Sequence, residues 1–175
     1  AADGADVVVT DRRAVPELTS AVAGLPSGTA VFLGGHPDVC LDGIDLAILS
    51  PGVPPASELA EAARDPGIPV MTELEFAWRH RPEAPMAAIT GSNGKSTVTT
   101  LVAEMLAATG AEVVAGGNLG TAASELVLAG GWDQWVLEIS SFQSELFASV
   151  APTAAVFLTL SQDHLERHAG IDDYH

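Results

Sequence analysis

Short apolar runs alternate with amphipathic stretches along the chain, and this alternation predicts β/α units built on a parallel sheet. The pattern therefore indicates an α/β fold. The predicted strands are Ala5–Val9, Ala30–Leu33, Leu46–Leu49, Ile68–Met71, Met86–Thr90, Glu112–Ala115, Trp135–Ile139 and Ala154–Leu160. The predicted helices are Ala14–Ala23, Ala56–Arg64, Glu73–His80, Lys95–Thr109, Ala122–Ala129 and Asp163–Arg167.

A polar segment with two prolines, Arg79–Pro85, predicts a domain boundary, because prolines stop the preceding helix and favour an extended link. A simple helix-to-strand loop is the alternative. We expect an incomplete Rossmann-like domain over residues 1–82 and an incomplete P-loop-type, parallel-sheet ATPase domain over residues 83–175. Both ends are expected to be cut, since the sequence opens almost directly on a strand and stops within a helical-looking stretch.

The chain carries a formal net charge of −16, so neither nucleic acid nor an anionic membrane surface is expected as a partner. It contains no apolar run long enough to cross a bilayer and no signal-peptide pattern. The single cysteine, Cys40, excludes an intramolecular disulfide. These features favour a cytoplasmic protein, which we expect to be monomeric when intact.

The strongest motif is a glycine-rich segment between the strand Met86–Thr90 and a predicted helix. Glycines let backbone amides approach phosphate oxygens, the chain's sole lysine supplies a cation, and the hydroxyl of Ser96 ligates Mg²⁺. Ile89 stands where the standard pattern has its first glycine, so this is a shortened variant. A chance strand–turn–helix junction is the alternative to ATP phosphate binding. The segment consists of Gly91, Ser92, Asn93, Gly94, Lys95, Ser96 and Thr97.

Polar residues also follow three other predicted strands, where ligands of parallel sheets gather. Glu138 ends an apolar strand, and Mg²⁺ is a natural partner for a carboxylate at such an edge. His164 follows the last strand and is expected at the same edge as Glu138. Asn118 lies in a glycine-rich turn and offers an amide to a polar ligand. The alternatives are a capping glutamate, an ordinary polar histidine and a plain tight turn.

Two strand ends in the first half of the chain are weaker candidates. Asp11, Arg12 and Arg13 end a strand with an acid and two cations, and an acid at such a position recognises a nucleoside in dinucleotide folds. The turn Ser50–Gly52 ends another strand. Each signal alone is common in proteins without such a site.

Taken together, these motifs resemble the Mur ligase family. The resemblance rests on Ile-Thr-Gly-Ser-Asn-Gly-Lys-Ser-Thr, then Gly-Gly-Asn-Leu-Gly, Leu-Glu-Ile-Ser-Ser-Phe-Gln and Asp-His-Leu-Glu-Arg-His, in that order. The shortened phosphate loop is usual in that family. Ser-Ser-Phe-Gln after the glutamate is most similar to the members that add D-glutamate to UDP-N-acetylmuramoyl-L-alanine.

The resemblance implies a role for each candidate. The loop and Lys95 would bind the ATP phosphates, Ser96 the first Mg²⁺, Glu138 the metal cluster and His164 the second Mg²⁺. The uridine diphosphate would contact Asp11, Arg12, Ser50 and Gly52, although Arg12 and Arg13 compete for the diphosphate. The muramoyl portion would contact Asn118, Ser140 and Gln143.

The implied activity is ATP-dependent amide formation between UDP-N-acetylmuramoyl-L-alanine and D-glutamate through an acyl phosphate, in peptidoglycan precursor synthesis. The 175-residue chain alone is expected to be inactive, because the resemblance places the D-glutamate site outside it. Three alternatives stay open: a related ligase that adds another amino acid or acts on folate, a P-loop kinase or NTPase, and a nucleotide-binding module without catalysis.

Overall fold

The computed structural model of the chain describes residues 4–81 and 83–161, which divide into two units. One unit holds the described residues up to Ala47 together with Glu58–Pro69. The other holds Ile48–Ser57 together with the described residues from Val70 onward. The predicted domain boundary at residues 82–83 stays a prediction.

The first unit contains a parallel pair of strands joined through a helix. The strands β1 (Val8–Asp11) and β2 (Ala30–Leu33) run in the same direction, so their carboxyl ends lie side by side, with Asp11 opposite Leu33. Within residues 4–81 and 83–161, no helix combines the length and the hydrophobicity needed to span a bilayer. The elements are β1 (Val8–Asp11), α1 (Val15–Ala23), β2 (Ala30–Leu33), a 3-10 helix (Asp38–Leu41) and α2 (Glu58–Arg64).

The second unit contains a four-stranded parallel sheet in the order β6-β7-β5-β8. The strands are β5 (Met86–Thr90), β6 (Val113–Gly117), β7 (Gln134–Glu138) and β8 (Ala154–Phe157). The helices are α3 (Glu73–His80), α4 (Lys95–Ala107), α5 (Ala123–Ala129) and α6 (Ser141–Ser144). A separate two-stranded sheet pairs β3 (Ala47–Leu49) with β4 (Val70–Thr72). The expected α/β fold is therefore confirmed.

Alternate residues of β5 and β7 face opposite sides of the sheet, as in any strand. Met86 and Trp135 are buried in the core cluster that also contains Leu74 of α3. Val136 is buried on the other side, where α4 covers β7. The alternation places Glu138, two residues further on, on the side of α4.

Helix α3 connects the loops of the second unit through buried polar contacts. Thr72 caps the helix by accepting from the Glu75 amide and donates to the Gln143 carbonyl oxygen at 3.2 Å. A carboxylate oxygen of Glu73 accepts from the Ser124 amide at 2.6 Å. These contacts fix the starts of α5 and α6 relative to α3.

The buried carboxylate of Glu75 joins α3 to the loop that precedes β8. The side chain is 0% exposed, and it accepts hydrogen bonds from the amides of Ala148 and Ser149, the Ser149 hydroxyl and Arg79 Nε. Burial alone would raise the pKa of Glu75, but the hydrogen bonds from Ser149, Ala148 and Arg79 outweigh it and lower the pKa to about 2. Glu75 is therefore ionised at neutral pH inside the fold.

All eight predicted strands are present, with boundaries shifted by up to three residues. The predicted strand Ala154–Leu160 ends earlier, at Phe157, because the chain beyond it bonds to a loop. The predicted helix Lys95–Thr109 ends at Ala107, where Gly110 follows with a φ of +93°. The 3-10 helix and α6 were not predicted. The helix predicted over Asp163–Arg167 lies outside the described residues.

Candidate functional site

The glycine-rich loop follows the central strand β5 and leads into α4. Gly94 is the residue before α4 and has a φ of +86°, a conformation that residues with a Cβ rarely adopt. A Cβ on Gly91 would lie 2.9 Å from the Thr159 backbone nitrogen. Both glycines are therefore required by the shape of the loop.

Lys95 folds back over the loop that precedes it. Its Nζ donates to the carbonyl oxygens of Gly91 at 2.7 Å and Ser92 at 3.3 Å. The first amides of α4 have no partner within the helix, and the helix dipole adds partial positive charge at the same end. An ammonium group beside such amides provides the chemistry that binds phosphate.

The segment after β8 closes the other side of the loop. The Ser92 amide donates to the Thr159 carbonyl oxygen at 2.9 Å, and the Asn93 amide donates to Thr159 Oγ1 at 2.8 Å. Ser92 Oγ donates to the Ser161 carbonyl oxygen and accepts from the Ser161 amide, both at 2.9 Å. Sequence reasoning missed Thr159 and Ser161, which lie at least 66 residues from their loop partners.

Glu138 meets the loop from the carboxyl end of β7, on the same side of the sheet as α4. Its side chain is 2% exposed. Ser96 Oγ donates to one carboxylate oxygen at 2.7 Å, and Asn118 Nδ2 donates to the other at 2.6 Å. The structure thus brings three predicted residues, Ser96, Glu138 and Asn118, into one network.

Asn118 also fixes the main chain of Glu138. Its amide donates to the Glu138 carbonyl oxygen at 2.9 Å. Gly117 precedes it with a φ of +89°, and a Cβ there would lie 2.5 Å from the same carbonyl oxygen. The strand ends of β6 and β7 therefore approach each other more closely than any residue but glycine allows.

The oxygens at this edge fit Mg²⁺, which prefers hydroxyl, carboxylate, phosphate and water oxygens. Ser96 and Glu138 supply a hydroxyl and a carboxylate that already lie in hydrogen-bond contact. Within the described part of the chain, no three histidine, cysteine, aspartate or glutamate side chains form a cluster. Ser96 and Glu138 are therefore the described residues at this edge that would hold such an ion.

Ser140 and Gln143 are brought together at the start of α6. They form a reciprocal capping box, in which the Ser140 amide donates to Gln143 Oε1 at 2.9 Å and Ser140 Oγ accepts from the Gln143 amide. Gln143 is buried. Their assignment to the muramoyl portion stays a prediction.

In the first unit, Asp11 binds Arg13 rather than Arg12. Arg13 Nη2 and Nε donate to the two carboxylate oxygens at 2.7 and 3.1 Å, and the Arg13 amide adds a third bond at 2.8 Å. The side-chain bond from Arg13 is the main cause that lowers the pKa of Asp11 to about 2. Arg12 is exposed beside this pair.

An open cavity of about 480 Å³ lies at the carboxyl end of β2, lined by residues 31–37. Thr10 Oγ1 lies 2.8 Å from His36 Nδ1 and fixes this edge. The other predicted contacts of the uridine diphosphate, Ser50 and Gly52, belong to the second unit and form a turn closed by the Val53 amide on the Ser50 carbonyl oxygen.

His164 lies outside the described residues, so its assignment to the second Mg²⁺ stays a prediction. The strand that leads towards it, β8, pairs with β5 on the side opposite β7. The loop after β5 is therefore flanked by the strand ends of β7 and β8.

Comparison with known proteins agrees with these motifs. Residues 89–175 match the Mur ligase middle domain. The chain is 45% identical, over 99% of its length, to the UDP-N-acetylmuramoylalanine--D-glutamate ligase of Anaeromyxobacter dehalogenans (strain 2CP-C). It is 41% identical, over 98% of its length, to the enzyme of the same name from Syntrophotalea carbinolica (strain DSM 2380 / NBRC 103641 / GraBd1).

The chain spans 38% of the length of both relatives. Among solved structures, a pseudomurein peptide ligase type C from Methanothermus fervidus aligns with 99% of the chain and 36% of its own, at 21% identity and a TM-score of 0.44. That likeness is too low to bear on function. The sequence relatives and the matched domain show that the chain belongs to the Mur ligase family.

Proposed function

We propose that the chain is the nucleotide-binding part of an ATP-dependent ligase that adds D-glutamate to UDP-N-acetylmuramoyl-L-alanine. The observation that carries the proposal is the glycine-rich loop with Lys95, whose next residue, Ser96, bonds to the buried carboxylate of Glu138. The names of the relatives support the substrates. In this proposal, residues 1–82 form a Rossmann-like domain and residues 83–175 belong to a P-loop-type ATPase domain.

The reaction requires two anions to meet, because a carboxylate of the substrate attacks the γ-phosphate of ATP. A carboxylate is a poor acyl donor, so it is first converted to an acyl phosphate with release of ADP. The amine of D-glutamate then attacks the acyl carbon, an amide forms, and phosphate leaves. This order explains why amide formation consumes ATP.

The residues of the loop reduce the charge repulsion in the first step. Lys95 and the first amides of α4 bind the phosphates and offset negative charge as it shifts towards the leaving ADP. Bound Mg²⁺ would supply further charge neutralisation between the phosphate oxygens. Glu138 holds the Ser96 hydroxyl in place, and Asn118 holds Glu138.

The substrates are tested with a full-length ligase that carries this chain. We expect sustained ADP release over many turnovers only when UDP-N-acetylmuramoyl-L-alanine and D-glutamate are both present, measured by a coupled ADP assay. L-alanine and a diamino acid, each supplied instead of D-glutamate, serve as controls for the related ligases. ATP hydrolysis that does not depend on the UDP-sugar would support a simple NTPase and contradict the proposal.

The two neighbouring arginines are expected to differ in their effect on the UDP-sugar. Arg13 already has its charge balanced by Asp11, whereas Arg12 lies exposed beside that pair. We therefore expect Arg12→Ala to raise the KM for the UDP-sugar about tenfold, the cost of one charge-assisted contact, with kcat nearly unchanged. Arg13→Ala is the matched control with a smaller expected rise. A larger rise for Arg13→Ala would assign the diphosphate contact to that residue instead.

A further inference from the structure

The chain immediately after β8 packs directly on the phosphate loop, defined as residues 91–94. The Leu158 amide donates to the Thr90 carbonyl oxygen at 3.0 Å, so the segments that follow β5 and β8 still run side by side where the loop begins. A Cβ on Gly91 would lie 2.9 and 3.0 Å from the backbone nitrogen and oxygen of Thr159. The backbone of one segment therefore forms a wall against the backbone of the other.

Thr159 accepts hydrogen bonds from the two amides in the middle of the loop, those of Ser92 and Asn93. Its carbonyl oxygen accepts from the Ser92 amide at 2.9 Å, and its hydroxyl oxygen accepts from the Asn93 amide at 2.8 Å. The same hydroxyl lies 3.3 Å from the Asn93 carbonyl oxygen, to which it donates. The amide and the carbonyl of Asn93 are thus both held by one side chain.

The shortness of the loop explains why it needs this support. It has two residues fewer between its glycines than the standard phosphate-binding pattern, so fewer backbone groups can bond within the loop. A buried backbone amide without a partner is costly, and this applies to Ser92, which is 8% exposed, whereas Asn93 is exposed and its contact with Thr159 fixes the loop's shape. The contacts with Thr159 satisfy these amides and leave those of Lys95, Ser96 and Thr97, at the start of α4, for an anion.

We propose that Thr159 is a positioning residue for nucleotide binding, whose side chain acts on the phosphates through Asn93 while its main chain holds Ser92. The inference rests on the proposed function, because it assumes that the loop binds ATP. Beyond the proposed function, we infer that the side chain of Thr159, 66 residues from Asn93 along the sequence, sets the affinity of the loop for the phosphates. The shortened loop therefore depends on the segment just after β8 to hold its shape.

The test compares three variants of a full-length ligase that carries this chain by calorimetric titration with Mg·ATP. Thr159→Val keeps the branched shape but removes the hydroxyl, and we expect its Kd to rise about tenfold, the effect of one to two neutral hydrogen bonds. Thr159→Ser keeps the hydroxyl and should bind within about twofold of the unmodified chain. An unchanged Kd in Thr159→Val, or an equal rise in both variants, would overturn the inference.

Thr153→Val is the matched control. Thr153 lies at the opposite end of β8, where its hydroxyl oxygen accepts from the Met86 amide at 3.2 Å. Its replacement removes a single contact of a threonine hydroxyl with a backbone amide, at the start of β5 and away from the loop, so it should lower the Tm while leaving the Kd for Mg·ATP unchanged. A rise in Kd equal to that of Thr159→Val would show a general loss of stability and would overturn the inference.

Amide hydrogen exchange measured by NMR gives a second readout, and its first result comes from the unmodified chain alone. The Ser92 and Asn93 amides should exchange slowly in the chain without nucleotide, and Asn93 should lose this protection in Thr159→Val but not in Thr159→Ser. Exchange of Asn93 at the rate of an open peptide would overturn the inference even if Thr159→Val did not fold. If the unmodified full-length ligase shows protected Ser92 and Asn93 amides but does not bind Mg·ATP, the proposed function fails and the nucleotide role of Thr159 fails with it, while the loop contact itself is upheld. Binding by the unmodified chain with an unaffected valine variant fails the inference alone.

Discussion

Lys95→Ala is expected to abolish acyl-phosphate formation in a full-length ligase that carries this chain, with a loss of turnover on the order of a thousandfold or more. Lys95 is the only lysine of the chain, and its ammonium group lies 2.7 Å from the Gly91 carbonyl oxygen, over the loop. Alanine removes the charge that offsets the meeting of carboxylate and γ-phosphate. Trapping the acyl phosphate with hydroxylamine measures the step directly.

The control for this variant is a cation elsewhere in the chain. Arg64 is exposed on α2, so Arg64→Ala should leave acyl-phosphate formation unchanged. Lys95→Met separates charge from packing, because it keeps most of the side-chain length; it should be as inactive as Lys95→Ala. Turnover close to that of the unmodified enzyme in either Lys95 variant would contradict the assignment of the loop to ATP.

Glu75→Gln is expected to lower the free energy of unfolding by about 3 kcal/mol at pH 7. The pKa of Glu75 is about 2 in the folded chain against an ordinary 4.5, and this difference of about 2.5 corresponds to about 3 kcal/mol. A lowered carboxyl pKa stabilises the fold above the unfolded pKa, and this contribution is lost as the pH falls from about 4.5 towards 2. The difference in the free energy of unfolding between the unmodified chain and Glu75→Gln should therefore become smaller as the pH falls from about 4.5 towards 2.

Urea unfolding at several pH values measures this difference. Glu104→Gln is the matched control, because Glu104 is an exposed glutamate on α4. It should unfold like the unmodified chain at every pH. Two results would show that the buried carboxylate is not held as its hydrogen bonds indicate. One is an equal free energy of unfolding for Glu75→Gln and the unmodified chain at pH 7, and the other is a difference that becomes larger as the pH falls.

The elements that sequence predicted best have strong local signals at both ends. Met86–Thr90 is an apolar run that stops at a glycine, and Glu73–His80 begins after the capping residue Thr72 and ends before Pro82. Helix α6 was missed, since its four residues are too few to show a helical period. Local signals therefore predicted the long elements and not the short ones.

Within the candidate site, sequence predicted what depends on position and missed what depends on packing. Glu138 was found because it ends an apolar strand, and the structure places its carboxylate on Ser96. Glu75 resembles an ordinary surface pair with Arg79, four residues later on the same helix, yet it is fully buried. The contacts that bury Glu75, like those of Thr159 with the loop, join residues more than 60 positions apart in the sequence. A local sequence pattern cannot predict such contacts.

Both oxygens of Glu138 are already occupied, one by Ser96 and one by Asn118. A bare divalent ion arriving from solution would compete with these internal hydrogen bonds and give up part of its hydration shell to reach Glu138. An ion chelated by a triphosphate arrives partly dehydrated, and Lys95 and α4 attract the phosphates that accompany it. In the proposed function, metal and nucleotide would therefore bind to this network as one species, and Mg²⁺ alone would leave Glu138 bonded to Ser96 and Asn118.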